Sequence, residues 1–117
     1  MLLDSDRNRL LHMVEAARQC LVFVEGRERV ELDTDIQLRF ALLRALEIVG
    51  EAASRVTPET RAAHPEIPWQ PIVGARNRLV HAYFDIDLDI VWATATKALP
   101  ALVEMLERLL GEDSGRE

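Results

Sequence analysis

Arg76-Asn77-Arg78-Leu79-Val80-His81-Ala82-Tyr83 sets a fixed cation, an amide, a second cation, an imidazole and a phenol within eight consecutive residues. The stretch closes a segment that starts near Trp69, where Pro71 suits the first turn of a helix. In that helix Ile72, Val73, Leu79 and Val80 are the inward residues, and the polar cluster falls at its far end. Core packing does not require such a cluster, so its reading decides what kind of helical protein this is.

Outward from this helix, the flanking segments are helical too. From Asp6 to about Glu25, Leu10, Met13, Val14, Ala17, Leu21 and Val24 recur every three or four positions, and Gly26 stops the run. After the polar stretch Arg27 to Asp33, Asp33 or Thr34 is placed to cap a second helix. That helix runs through Phe40, Leu43, Leu46, Val49 and Ala53 to about Val56 and is apolar along its length. Thr57-Pro58-Glu59 reads as the cap and first turn of a short third helix, closed by His64-Pro65 and Ile67-Pro68. Past the motif, Asp85 or Asp87 caps a last helix with Leu88, Val91, Ala95, Ala98, Leu102, Met105 and Leu109 inward. Pro100 is expected to kink it and Gly111 to end it, leaving residues 112–117 as a polar tail. No alternating β-branched run appears, so the expected fold is all-α, an antiparallel bundle of four to five helices forming one domain over residues 1–111.

Composition narrows the function. A chain of 117 residues supplies one core and one site. The single cysteine, Cys20, excludes an internal disulfide and a cysteine-based zinc site. No stretch approaches the length of a membrane span, and the first residues lack the pattern of a signal peptide, so the expectation is a cytoplasmic protein with no membrane partner. The formal net charge of -6 argues against broad electrostatic capture of nucleic acid. Any nucleic-acid chemistry therefore needs a local basic pocket. Lys97 is the one lysine, so arginine, whose fork suits phosphate, carries nearly all the positive charge.

There is no phosphate-binding glycine loop, no His-Glu-x-x-His and no acidic loop with calcium spacing. Neither a metal nor a cofactor is expected. His12 and His64 stand apart and are assigned no role. In the motif, by contrast, an arginine can hold a phosphate while a histidine exchanges a proton with a ribose 2′-hydroxyl or a leaving oxygen. Five residues along an ideal helix turn through about 140°, which separates Arg76 from His81 on one straight helix. Either the helix unwinds before His81, or two copies meet about a two-fold axis and pair each arginine with the other chain's histidine. Tyr83, two turns beyond Arg76 on the same face, would sit at the rim of the pocket. The competing reading makes the same residues structural: an arginine paired with a carboxylate, a capping histidine and a packing tyrosine. In the second helix Arg44, Glu47, Glu51 and Arg55 share one stripe, either a solvated face or a polar wall lining the groove opposite the motif.

Arg-x4-His-x-Tyr, with Asn77 after the arginine and Leu79-Val80 before the histidine, resembles the signature of HEPN domains and, more narrowly, of HepT-like toxins. Glu47-Ile48-Val49-Gly50-Glu51-Ala52-Ala53, Trp69, Ile72-Val73-Gly74, Phe84-Asp85-Ile86-Asp87 and Val91-Trp92 extend the similarity over residues from about 10 to 110. The resemblance implies a helical bundle that dimerises with both motifs at the interface. It implies a metal-independent endoribonuclease that leaves a 2′,3′-cyclic phosphate. Arg76 would bind phosphate and stabilise the transition state, His81 would be the general acid/base and Asn77 a polar support. Arg78 is added from the residues themselves as an RNA contact. The implied partner is a minimal nucleotidyltransferase antitoxin that silences the nuclease by adenylylating Tyr83. The alternative is a non-catalytic subunit that binds a nucleotide or serves as a scaffold for that nucleotidyltransferase.

Overall fold

The computed structural model describes residues 2–81 and 86–114. Among these every regular element is helical: α1 (Asp4–Val24), α2 (Glu31–Thr34), α3 (Ile36–Ser54), α4 (Pro58–Ala63), α5 (Trp69–His81), α6 (Leu88–Ala93), a π-helical turn (Thr94–Ala98) and α7 (Leu99–Ser114). The expected all-α bundle is what the chain forms. None of these helices is long and apolar enough to cross a membrane.

The long helices run antiparallel, and their ends are tied. Arg7 near the start of α1 pairs with Asp113 near the end of α7 at 2.8 Å, and Arg18 further along pairs with Glu107 at 2.7 Å. Between them Leu10, Met13, Val14, Ala17 and Cys20 of α1 meet Leu38, Leu42, Ala45 and Val49 of α3 and Leu102, Leu106 and Leu109 of α7, all buried. This apolar burial drives the fold.

Asp6 is the one buried charged residue of the described chain, 1% exposed. It accepts hydrogen bonds from Thr57 N at 3.0 Å, Thr57 Oγ1 at 2.6 Å and Thr60 Oγ1 at 2.6 Å, fastening α1 to the cap of α4. Burial pushes its carboxyl pKa up, but these bonds and the charge of Arg61 outweigh burial and hold it below its ordinary value. Thr57 caps α4 with Pro58 in the first turn, as its sequence indicates.

The structure departs from these expectations at several places. The α3 cap is Asp35, which accepts from Leu38 N at 3.0 Å, not Asp33 or Thr34. Those two residues belong to α2, a single turn anchored by Leu32, which is 0% exposed. Phe40 is 51% exposed; the buried line of α3 runs through Leu38, Leu42, Ala45 and Val49. Before Pro100, which lacks the N–H of a regular turn, the last helix widens into the π turn, closed by Leu99 N–H donating to the Thr94 carbonyl. The extra residue moves the core position from Ala98, exposed, to Leu99, 4% exposed. Finally, α7 continues through Gly111 to Ser114. Asp113 accepts from both Arg7 and Leu2 N, at 2.8 and 2.9 Å, so the expected tail contributes its first residues to the bundle.

Candidate functional site

Gly50 and Arg76 lie where α3 and α5 come closest. A Cβ built on Gly50 would overlap the Cβ of Arg76, lie 2.9 Å from its Cγ and approach the Ile72 carbonyl oxygen to 3.1 Å. Only glycine leaves this room, which explains a residue that otherwise weakens a helix interior. The close approach brings Glu51, the next residue of α3, onto the guanidinium. Arg76 Nη2 donates to Glu51 Oε2 at 2.6 Å, and Nη1 donates to Asn77 Oδ1 at 2.9 Å. Nε is buried and has no hydrogen-bond partner among the described residues. With 29% of its side chain exposed, Arg76 is still reachable from solvent.

Glu51 also accepts from Arg55 Nε at 3.0 Å, so one carboxylate bridges two cations. Arg55's hydrogen bond, then the charge of Arg76, holds its pKa below the usual value. Glu51 is thus a carboxylate at neutral pH. Of the stripe foreseen on this helix, Glu51 reaches the motif. Arg44 does not: it is 67% exposed and pairs with Glu47 at 3.1 Å.

The other motif residues are distributed as follows. Asn77 and Arg78 are exposed on α5. Arg78 borders an apolar groove of about 230 Å³ between α3, α5 and the start of α6, lined by Leu46, Ile72, Leu79 and Ile90. Asp87 at its edge caps α6, accepting from Asp89 N at 2.9 Å. Position 81 lies in the last turn of α5, which is helical without interruption from Trp69. Hence the helix does not unwind before His81, and positions 76 and 81 stand about 140° apart around its axis. Tyr83, and the alternative cap Asp85, lie outside the described residues.

Two parts of the site escaped the sequence reading. The clearance at Gly50 was detectable in principle, because a glycine inside a strongly helical run demands a reason. The bond from Glu51 to Arg76 joins different helices, and spacing along one helix does not reveal it.

A helical bundle that presents a half-buried arginine, clasped by a carboxylate near the end of one helix, defines a helical domain with a cationic site at that end. Residues 13–109 match the family described as ribonuclease HepT-like, and the chain belongs to that family. A Thermococcus cleftensis protein named "Probable ribonuclease HepT" is 40% identical over 75 residues, 64% of this chain and 68% of that one. A "Putative RNase" of Caldanaerobacter subterraneus subsp. tengcongensis is 31% identical over 111 residues, 95% of this chain and 99% of that one. Another of that name, from Methanocaldococcus jannaschii, is 33% identical over 98 residues, 84% and 90% of the two chains. No solved structure matches the chain.

Proposed function

We propose that this chain is the RNA-cleaving toxin of a two-component toxin–antitoxin module, a metal-independent endoribonuclease acting by internal transesterification. The observation that carries the reading is the family match over residues 13–109, which spans Arg76 and His81 of the motif. In the proposed reaction Arg76 binds the non-bridging oxygens of the scissile phosphate and offsets the charge that builds on them. A neutral His81 takes the proton of the adjacent ribose 2′-hydroxyl, whose oxygen attacks phosphorus. The bond to the departing 5′-oxygen breaks as a second, protonated histidine donates to it. The products are a 2′,3′-cyclic phosphate and a 5′-hydroxyl end.

The continuous α5 favours the two-chain version of this site. With the helix unbroken through position 81, positions 76 and 81 of one chain lie on different sides of its axis, and in the proposed dimer a two-fold partner supplies the complementary pair and the second histidine. Asn77 and Arg78 flank the phosphate path. Tyr83 is the proposed acceptor of AMP from a minimal nucleotidyltransferase antitoxin. The attached nucleotide would fill the pocket and silence the enzyme.

The decisive experiment incubates labelled RNA with purified unmodified protein in excess EDTA, wild type beside His81→Ala. Cleavage by wild type alone, with cyclic phosphate ends, is the expected result. Failure of both proteins to cleave, with Tyr83 shown by mass to be bare, would replace the nuclease with the binding-subunit reading.

A further inference from the structure

We infer that Glu51 is the positioning residue of the site: its carboxylate holds the Arg76 guanidinium in the orientation that meets a phosphate. The inference rests on the proposed nuclease reading and adds a residue to it.

An arginine side chain has many rotamers, and catalysis requires one of them. Arg76 has three places at which it could be fixed. Nε is buried and makes no bond among the described residues, so no anchor to them runs through it. Nη1 is tied to Asn77, its neighbour on the same helix, and that bond moves with the helix. The tie of Nη2 to Glu51 at 2.6 Å connects the guanidinium to another helix, and the packing at Gly50 fixes the separation of the two. Arg55, on the other carboxylate oxygen at 3.0 Å, holds Glu51 itself in place.

The clasp leaves the arginine usable. A guanidinium carries two hydrogens on each terminal nitrogen. One on Nη2 goes to Glu51 and one on Nη1 to Asn77. Among the described residues one remains on each, the number a bidentate phosphate contact uses. Glu51 is badly placed to be the general base. Its two oxygens are engaged by two guanidinium groups, and a carboxylate so stabilised has little affinity for a proton.

Removing the charge and removing the acceptor should therefore have separable effects. Glu51→Gln keeps an oxygen that accepts from Arg76 but deletes a negative charge beside the phosphate site. Glu51→Ala deletes both. The assay is cleavage of a fluorophore-quencher RNA pool of random sequence, with kcat and KM read separately. For Glu51→Ala the expected kcat is about tenfold or more below wild type, the size that loss of orientation produces. For Glu51→Gln kcat stays within about threefold of wild type. KM falls in Glu51→Gln, which removes a like charge near the polyanion while keeping Arg76 oriented. Equal loss of kcat in the two variants, or wild-type kcat in Glu51→Ala, would overturn the inference.

A second readout needs no turnover. The Arg76 Nε–H is buried, so its proton exchanges slowly and gives an observable NMR resonance. Inorganic phosphate should shift that resonance in wild type and Glu51→Gln, while Glu51→Ala should lose it to fast exchange. An unchanged resonance in Glu51→Ala overturns the clasp even if the enzyme cleaves RNA. A lost one upholds the clasp even if wild type proves not to be a nuclease.

Discussion

Gly50→Ala tests the contact between α3 and α5 from both its energetic sides. A glycine-to-alanine change inside a helix normally stabilises by about 0.5–1 kcal/mol, because the unfolded chain loses freedom. Here the new methyl would overlap Arg76 Cβ and crowd the Ile72 carbonyl oxygen at 3.1 Å. Neither obstacle is the loose end of a side chain, so α5 itself must move. Overpacking of that kind costs about 1–3 kcal/mol, so after the propensity gain is subtracted the net destabilisation is about 0–2.5 kcal/mol, with a midpoint of roughly 1 kcal/mol. For a domain of this size that lowers Tm on the order of 5 °C. Because the displaced atoms belong to Arg76, RNA cleavage should fall roughly tenfold to a hundredfold. Gly111→Ala is the matched control, since its Cβ would meet nothing within 4 Å and its backbone is helical. Thermal unfolding and cleavage rates of the two variants are measured side by side. If Gly50→Ala raised Tm as much as Gly111→Ala and cleaved at the wild-type rate, the close approach would have no consequence and the reasoning would fail.

Four further outcomes are expected. Asp6→Ala removes the acceptor of three hydrogen bonds at a buried site and should cost about 2–4 kcal/mol in denaturant unfolding at pH 7. Because the folded pKa of Asp6 lies below its ordinary 3.8, the advantage of wild type is full above that value. It should shrink as pH falls through the folded pKa; an advantage that grew with acid would contradict the assignment. Burial pushes the Cys20 thiol up to about 12, so at pH 8 a thiol reagent should modify it only as fast as the chain opens. Rapid labelling without denaturant would refute that. Mixed dimers of wild type with the Arg76→Ala/His81→Ala double variant hold no complete two-chain pair and should cleave no faster than the single variants; wild-type-like cleavage per intact chain from verified mixed dimers argues for a one-chain site. Co-expression with the cognate nucleotidyltransferase should add AMP to the peptide holding Tyr83, and unmodified peptide from active partner would remove that step.

How far the sequence reveals this molecule differs from helix to helix. In α1 apolar and polar residues alternate at one clean helical period, and Leu10, Met13, Val14 and Ala17 are buried as expected. In α3 apolar residues lie nearly all the way round. Periodicity then fails to choose a face: the core takes Leu38 and Leu42, while Phe40 is exposed. At Pro100 the chemistry forecast a distortion but not its form. A π turn inserts a residue where a bend was expected, and the buried line passes through Leu99 instead of Ala98. At the site, Arg76 and Glu51 were each legible as members of a stripe or motif. Their mutual bond was not, because it depends on how closely two helices approach, and Gly50 sets that distance.

The π turn has one more consequence, for how this chain tolerates length changes. Each residue of a helix turns it through about 100°, so one inserted residue resets the angular phase between the halves it joins. Here α6 addresses the groove beside α5, while α7 addresses the core against α1. Deleting one residue from Thr94–Ala98 would restore a regular helix and leave one of those halves facing the wrong neighbour. The surplus residue works as a phase adjuster, and insertions or deletions should be harder to accommodate there than in the exposed turn around Gly26, whose φ of 70° already breaks the helical path.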